Sequence, residues 1–234
     1  MTESLRRAAG EAWAFRTRVE RDAARRFSSL AAAIPAFDPE SPIPALLWGA
    51  AEDERRHAAL CAGLSSAYGQ PAGDEDPEPA SIAPASLGPR AAALYEIVAA
   101  CCVTETESVA TLTTLLAEPA EPAVESALRE IARDEVQHAR IGWAHLARER
   151  ALFDVSFLSR FIPAMIAGAA PGLFSAGAPQ VDDPALLRHG VLPWAQKRAV
   201  FVAALEEIVF PGLEKFGIGT APAHDWLTAQ LHGR

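Results

Sequence analysis

One short pattern occurs twice in this chain: Asp53-Glu54-Arg55-Arg56-His57 and Asp134-Glu135-Val136-Gln137-His138. Both copies read Asp-Glu-x-x-His, and both sit in alanine-rich stretches that favour helix. Residues three apart share one face of an α-helix, so the Glu and His of each copy can grip the same partner. With 20 Glu and 6 His in 234 residues, chance supplies roughly half a Glu-x-x-His match. A repeated match, each copy led by Asp and each following another helical Glu by the length of a hairpin, restricts the folds available.

The apolar periodicity supplies four long helices around the repeat. The first is expected from Glu3 to Ile34, with Trp13, Thr17, Glu20, Ala24, Phe27 and Ala31 on one face and Arg18, Arg21 and Arg25 on another. Pro35, Pro39 and Pro42 then break the chain, and the second helix runs from Pro42 to Tyr68, ending at Gly69. Its inner stripe, Ile43, Leu47, Ala50, Glu54, His57, Cys61 and Leu64, carries two ionisable groups that are costly to bury unless paired or metal-bound. The third helix, Arg90 to Ala117, turns Leu94, Val98, Cys101, Glu105, Val109 and Leu112 inward. The fourth, Glu121 to Leu152, does the same with Val124, Leu128, Ile131, Glu135, His138 and Gly142.

Between the second and third helices, Gly69 to Pro89 is a Pro/Gly/acidic linker containing Asp74-Glu75-Asp76-Pro77-Glu78-Pro79. It can extend about 70 Å, against about 40 Å for the second helix, and so can cross a bundle end to end. The expected architecture is all-α: a four-helix bundle with one long crossover over residues 1–152, and a helical extension over residues 153–234 packed on it. In that extension Phe157 to Ala169 is expected to be helical, Pro184 to Phe216 helical with breaks at Pro193 and Pro211, and Ala221 to Leu231 a last short helix.

Six residues then form a candidate metal-ligand set: Glu20, Glu54, His57, Glu105, Glu135 and His138. Glu20 is preferred to Glu11, which lies further from the matched level, and Glu105 to Glu107, which falls on another face. Four carboxylates neutralise two divalent cations with both histidines neutral, whereas the same cluster without cations would take up protons. Mixed oxygen and nitrogen donors suit iron or manganese, and no thiolate motif favours zinc. Asp53 and Asp134 are expected to act across the pair of helices. Asp53 would accept the ring N–H of His138, and Asp134 that of His57, fixing each tautomer. Cys61 and Cys101, each one turn from a proposed ligand, could line a cavity, though small core packing is the commoner fate. His145, two turns beyond His138, reads as a packing or capping residue, and neither Tyr68 nor Tyr95 reaches the ligand level.

Composition limits the rest. A net charge of −9 argues against a nucleic-acid binder. The early arginines (Arg6, Arg7, Arg16, Arg18, Arg21, Arg25, Arg26) read as the solvated face of the first helix. Three cysteines without a Cys-x-x-Cys, and an N-terminus without an apolar core, suggest a cytoplasmic setting. Phe161 to Val181 carries no charge over 21 residues, but three prolines and three glycines break it, so a short helix and loop is expected rather than a membrane span.

These residues resemble the ferritin-like di-iron carboxylate superfamily. The matching stretches are Val19 to Ala24, Ala51 to Ala58, Cys102 to Thr106 and Ala132 to Ala139, so the resemblance covers residues 10–150. It implies two iron ions, with manganese left open, held by the six residues above. It also implies O2 activation for oxidation or oxygenation of a small organic substrate, with an external electron donor. A metal-handling or peroxide-protective protein without an organic substrate stays open as the alternative, as does a homodimer.

Overall fold

The computed structural model describes residues 1–73, 81–174 and 181–232, and all regular structure among them is helical. Helix α1 (Glu3–Ala33) starts at Thr2, whose hydroxyl accepts from the Leu5 amide at 3.2 Å and satisfies a donor the first turn leaves unpaired. A single 3-10 turn (Ile34–Ala36) follows, and α2 (Ile43–Ala67) folds back along α1. The pair is antiparallel: Arg6, at the start of α1, donates to the Ala67 and Tyr68 carbonyls at the end of α2 (3.5 and 3.2 Å). Those carbonyls are ones the last helical turn leaves open, at the negative end of the helix dipole.

The third long segment differs from the uniform helix that periodicity predicts. It consists of α3 (Pro89–Ile97), a π-helical stretch (Val98–Thr104) and α4 (Glu105–Leu116). The Glu105 amide bonds the Ala100 carbonyl, five residues back, so the helix widens just before its buried carboxylate. Helix α5 (Pro122–Arg150) then returns along α4. Arg90, at the start of α3, pairs with Glu149 (2.7 Å) and lies over Phe37, at the opposite end of the α1–α2 pair from Ala67. The connection from α2 to α3 therefore joins opposite ends of that pair. The acidic run of the expected linker lies outside the described residues.

The C-terminal third adds a 3-10 turn (Ser156–Phe161) leading into α6 (Ile162–Ala169), then another (Pro184–His189), and α7 (Trp194–Ala204). A second π-helical stretch (Leu205–Val209) joins α7 to α8 (Phe210–Lys215), and α9 (Ala221–His232) follows. The break expected at Pro211 does not occur. The proline ring crowds the carbonyl four residues back, and the widened turn immediately before it accommodates the ring without ending the helix. Pro193 does mark a start, directly before α7.

Most of these elements share one apolar core with the third segment and α5, where Leu158, Ile162, Phe201 and Leu213 pack with Leu94, Val98, Cys102 and Leu146, whereas the turn Pro184–His189 packs Leu186 against Leu5 and Ala9 of α1. Ile162, Met165 and Ile166, from the uncharged stretch, are buried in that core; residues 175–180 lie outside the described part. Among the described residues no helix is long and apolar enough to cross a membrane. The early arginines are not one solvated face: Arg26 crosses to Glu96 on α3 at 2.8 Å, with its side chain only 13% exposed.

Gly142 explains how the π-helical stretch meets α5. A Cβ there would lie 2.6 Å from Cys101 Cβ and 2.8 Å from Cys102 Sγ, closer than atoms can approach without a shift, and 3.0 Å from the Cys102 backbone nitrogen. We expect Gly142→Ala to destabilise the protein by about 1–3 kcal/mol despite alanine's better helix propensity. Gly63 is also helical, but a Cβ there would have no neighbour within 4 Å, and Gly63→Ala should instead stabilise by about 0.5–1 kcal/mol. Urea unfolding of both variants measures the contrast.

Candidate metal centre

Each of the four long segments presents one ionisable group or pair at the same level. Glu20 comes from α1, Glu54 and His57 from α2, Glu105 from the first turn of α4, and Glu135 and His138 from α5. All six are buried; Glu54 and His57 have no exposed surface, and Glu20, the most accessible, keeps 6%. Apolar clusters close the level on both sides along the helix axes. Phe27, Leu47, Ala50, Ile97, Cys101 and Ile141 lie toward one end, and Trp13, Cys61, Leu112, Leu128 and Ile131 toward the other.

The donor atoms fall into two overlapping groups. Glu20, Glu54, His57 and Glu135 bring one ligand atom each within 4.8 Å of one another, and so do Glu54, Glu105, Glu135 and His138. Glu54 and Glu135 belong to both. His138 Nδ1 lies 2.9 Å from Glu54 Oε1 and 3.1 Å from Glu135 Oε2, and His57 Nδ1 lies 3.3 Å from Glu54 Oε2 and 4.0 Å from Glu135 Oε1. Both imidazoles therefore aim Nδ1 at the shared carboxylates.

The far ring nitrogens meet the aspartates of the opposite helix. His57 Nε2 is 3.3 Å from Asp134 Oδ2, and His138 Nε2 is 3.3 Å from Asp53 Oδ2. An ionised aspartate can only accept, so each pair places a proton on Nε2, and the Nδ1 that faces the cluster is the nitrogen that would give up its proton to a metal. Arg56, which sequence reasoning passed over, ties the two aspartates together. It donates to Asp53 (3.0 Å), Asp134 (2.5 Å) and Glu130 (3.0 Å). Asp134 is held down to about 2: burial opposes this, but hydrogen bonds from Arg133, His57 and Arg56 outweigh it. Ser108, also passed over, donates to Glu135 at 3.3 Å. Its signal was present in the chain, since it lies one helical turn after Glu105.

Electrostatics set what the cluster can hold. Burial, and then repulsion from neighbouring carboxylates, pushes Glu20 and Glu105 well above the usual carboxylate range and raises Glu54. Glu135 stays low because hydrogen bonds from His138 and Glu105 outweigh its burial. Burial alone would lower His138, yet the carboxylates of Glu135 and Glu54 hold its imidazole up to about 11. The cluster is thus short of positive charge and recruits protons to supply it. Nδ1 of His57 is buried without a hydrogen-bond partner, and the buried oxygens of Glu54 face the two imidazoles at 2.9 and 3.3 Å. Oxygen and imidazole donors converging with unsatisfied lone pairs are what a divalent transition metal takes. The buried Glu/His groups could hold metal.

Cys61 and Cys101 are buried in the flanking apolar clusters, and burial pushes both thiols far above their ordinary range, so neither is a nucleophile. Tyr95 packs edge-on against Phe161, and the Tyr68 hydroxyl meets His189 Nδ1 at 2.9 Å, away from the carboxylates. A comparison with protein-family models finds none that matches the chain, and a comparison with curated proteins likewise finds no match.

His145 belongs to neither donor group. It is fully buried and neither ring nitrogen has a hydrogen-bond partner. Around it stand two bidentate pairs, Arg148 with Asp38 and Arg90 with Glu149. Burial lowers the imidazole to about 4, against attraction from Glu149 and Asp38. The unfolded chain binds a proton near pH 6.5 and the folded chain only near 4, so stability falls as pH drops through that window. We expect a loss of roughly 3 kcal/mol between pH 7 and 4 that His145→Leu removes, read from urea unfolding at each pH.

Proposed function

We propose that the chain is a ferritin-like di-iron carboxylate protein that activates O2 to oxidise or oxygenate a small organic substrate. One observation carries this reading: two four-residue donor groups that share Glu54 and Glu135. In it, Glu20 and His57 would help to hold one metal ion and Glu105 and His138 the other, with Glu54 and Glu135 available to both. The four long segments are then the ferritin-like bundle, and residues 153–234 its extension. Four carboxylates balance two divalent ions, which supports a pair rather than a single metal. Iron is assigned because a bound pair of iron ions supplies two electrons together to O2, with an external donor restoring them. Manganese has the same donor preferences, and elemental analysis separates the two.

The chain's own contribution is positional. Asp53 and Asp134 hold the imidazoles in one tautomer, and Arg56 fixes the aspartates in turn. The flanking apolar clusters exclude water from the carboxylates, which strengthens every charge interaction among them. Ser108 donates to Glu135 and so helps to orient that carboxylate.

Protein from iron-replete cells should carry two irons per chain by elemental analysis and consume O2 once reduced. Glu54→Ala and His138→Ala should each lose at least one equivalent while circular dichroism shows the helices retained. Wild-type protein without stoichiometric metal would overturn the assignment, and large iron accumulation without substrate-linked O2 uptake would replace it with metal storage. Asp53→Asn and Asp134→Asn should keep the fold and weaken metal affinity by about 10–100-fold, measured by competition with a chelator.

A further inference from the structure

The outer seam between α1 and α2 carries a groove of about 330 Å3 lined by Arg21, Arg25 and Arg55 and floored by alanines, Ala24 and Ala58 among them. It lies directly behind half of the carboxylate cluster. On α1, Ala24 is one turn from Glu20, and Arg21 and Arg25 are their immediate neighbours in sequence. On α2, Ala58 is one turn from Glu54 and next to His57, and Arg55 follows Glu54. The same two turns that aim the candidate ligands inward thus build the groove outward.

Three features of this groove point to one kind of occupant. Its rim gathers three guanidinium groups in a chain whose net charge is −9, so the local field opposes the global one. The rim is also held in place: Arg21 Nη1 donates to the Gly73 carbonyl (2.6 Å), Arg55 donates to Glu52 (2.5 Å) and Ser28 (3.0 Å), and Arg25 lies 4.0 Å from Asp22. A guanidinium fork fixed in this way matches a planar or tetrahedral oxyanion and loses little rotamer freedom on binding it. Glu52 and Asp22 offset part of the charge, whereas Arg21 is held by a neutral carbonyl and Arg55 also by a neutral hydroxyl. The floor offers only methyl groups, which take a short apolar body and no polar one.

We propose that this seam binds a small organic anion, its carboxylate or phosphate on Arg21, Arg25 and Arg55 and its apolar body on the alanine floor. The volume is at the lower end for small-molecule sites and too small for a macromolecular segment of any length. As an anion site it stands alone; as the place where a substrate's charged group rests, it depends on the di-metal reading.

Hexanoate, acetate and inorganic phosphate are titrated into metal-free and iron-loaded protein by calorimetry. Hexanoate should bind saturably at one site in both, about tenfold more tightly than acetate because the floor takes its chain. The double variant Arg21→Gln/Arg55→Gln should melt like wild type and bind hexanoate at least about tenfold more weakly. Absence of saturable hexanoate binding, or equal affinity in wild type and double variant, overturns the site. Phosphate binding as tightly as hexanoate overturns its assignment to an organic anion. Protein that binds hexanoate but takes up no metal supports the site and removes the di-metal reading alone.

Discussion

Four buried carboxylates facing one another are the constraint on which the rest of this structure depends. Each costs several kcal/mol to remove from water unless matched by positive charge, and here they lie together at one level. Nothing in an ordinary helical core requires such an arrangement. It persists because the apolar clusters above and below it, with Phe27 and Leu47 on one side and Trp13 and Leu128 on the other, bring the four segments to a common register. Stability gained in those clusters offsets the electrostatic cost of the layer between them. A cation reduces that cost, so binding and folding are linked at this point.

The layer has an approximate two-fold character. Each histidine turns Nδ1 to the shared carboxylates and Nε2 to the aspartate of the opposite helix. The crossing matters because it couples α2 to α5 through two contacts of 3.3 Å that only a correct register permits. A slip of either helix by one residue would rotate its histidine away from both partners. Arg56 stands on one side only; the corresponding position of the second copy is Gln137. Arg133, on α5, also donates to Asp134, but only Arg56 reaches both aspartates.

Much of this was readable in the chain because helical periodicity is strong where the inner faces are apolar. The ends expected for α1, α2 and α5 fall within two residues of those observed, since Thr2, Pro42, Gly69 and Pro122 act locally through capping and proline geometry. The crossed aspartates could be anticipated because the motif is repeated and the geometry of one helix fixes residue 53 relative to residue 54. The π-helical stretch before Glu105 could not. It depends on how Cys101 and Cys102 pack against the bare backbone at Gly142, a contact between segments with no local signal. Arg56 was hidden for a related reason: an arginine in a charged run reads as solvated until its partners on another helix are known. Leu64 and Val109, expected inward, are only half-buried, although Leu112 and Leu115, further along the helix of Val109, are fully buried.

The C-terminal third then makes the two halves of the layer unequal. Its helices pack on the segment that carries Glu105: α7 lies along α4, and Phe201 and Leu205 share a core with Val98 and Cys102. The half built from Glu105 and His138 is backed by that core, which is apolar and filled. The half built from Glu20 and His57 is backed by the α1–α2 seam, where alanines and guanidinium groups stand in place of large side chains. Guanidinium groups on its rim and small residues on its floor set this face apart from the apolar core that backs Glu105. A molecule approaching the layer therefore meets two different walls. The asymmetry arises from what the added helices cover, since the ligand-bearing residues themselves are nearly equivalent.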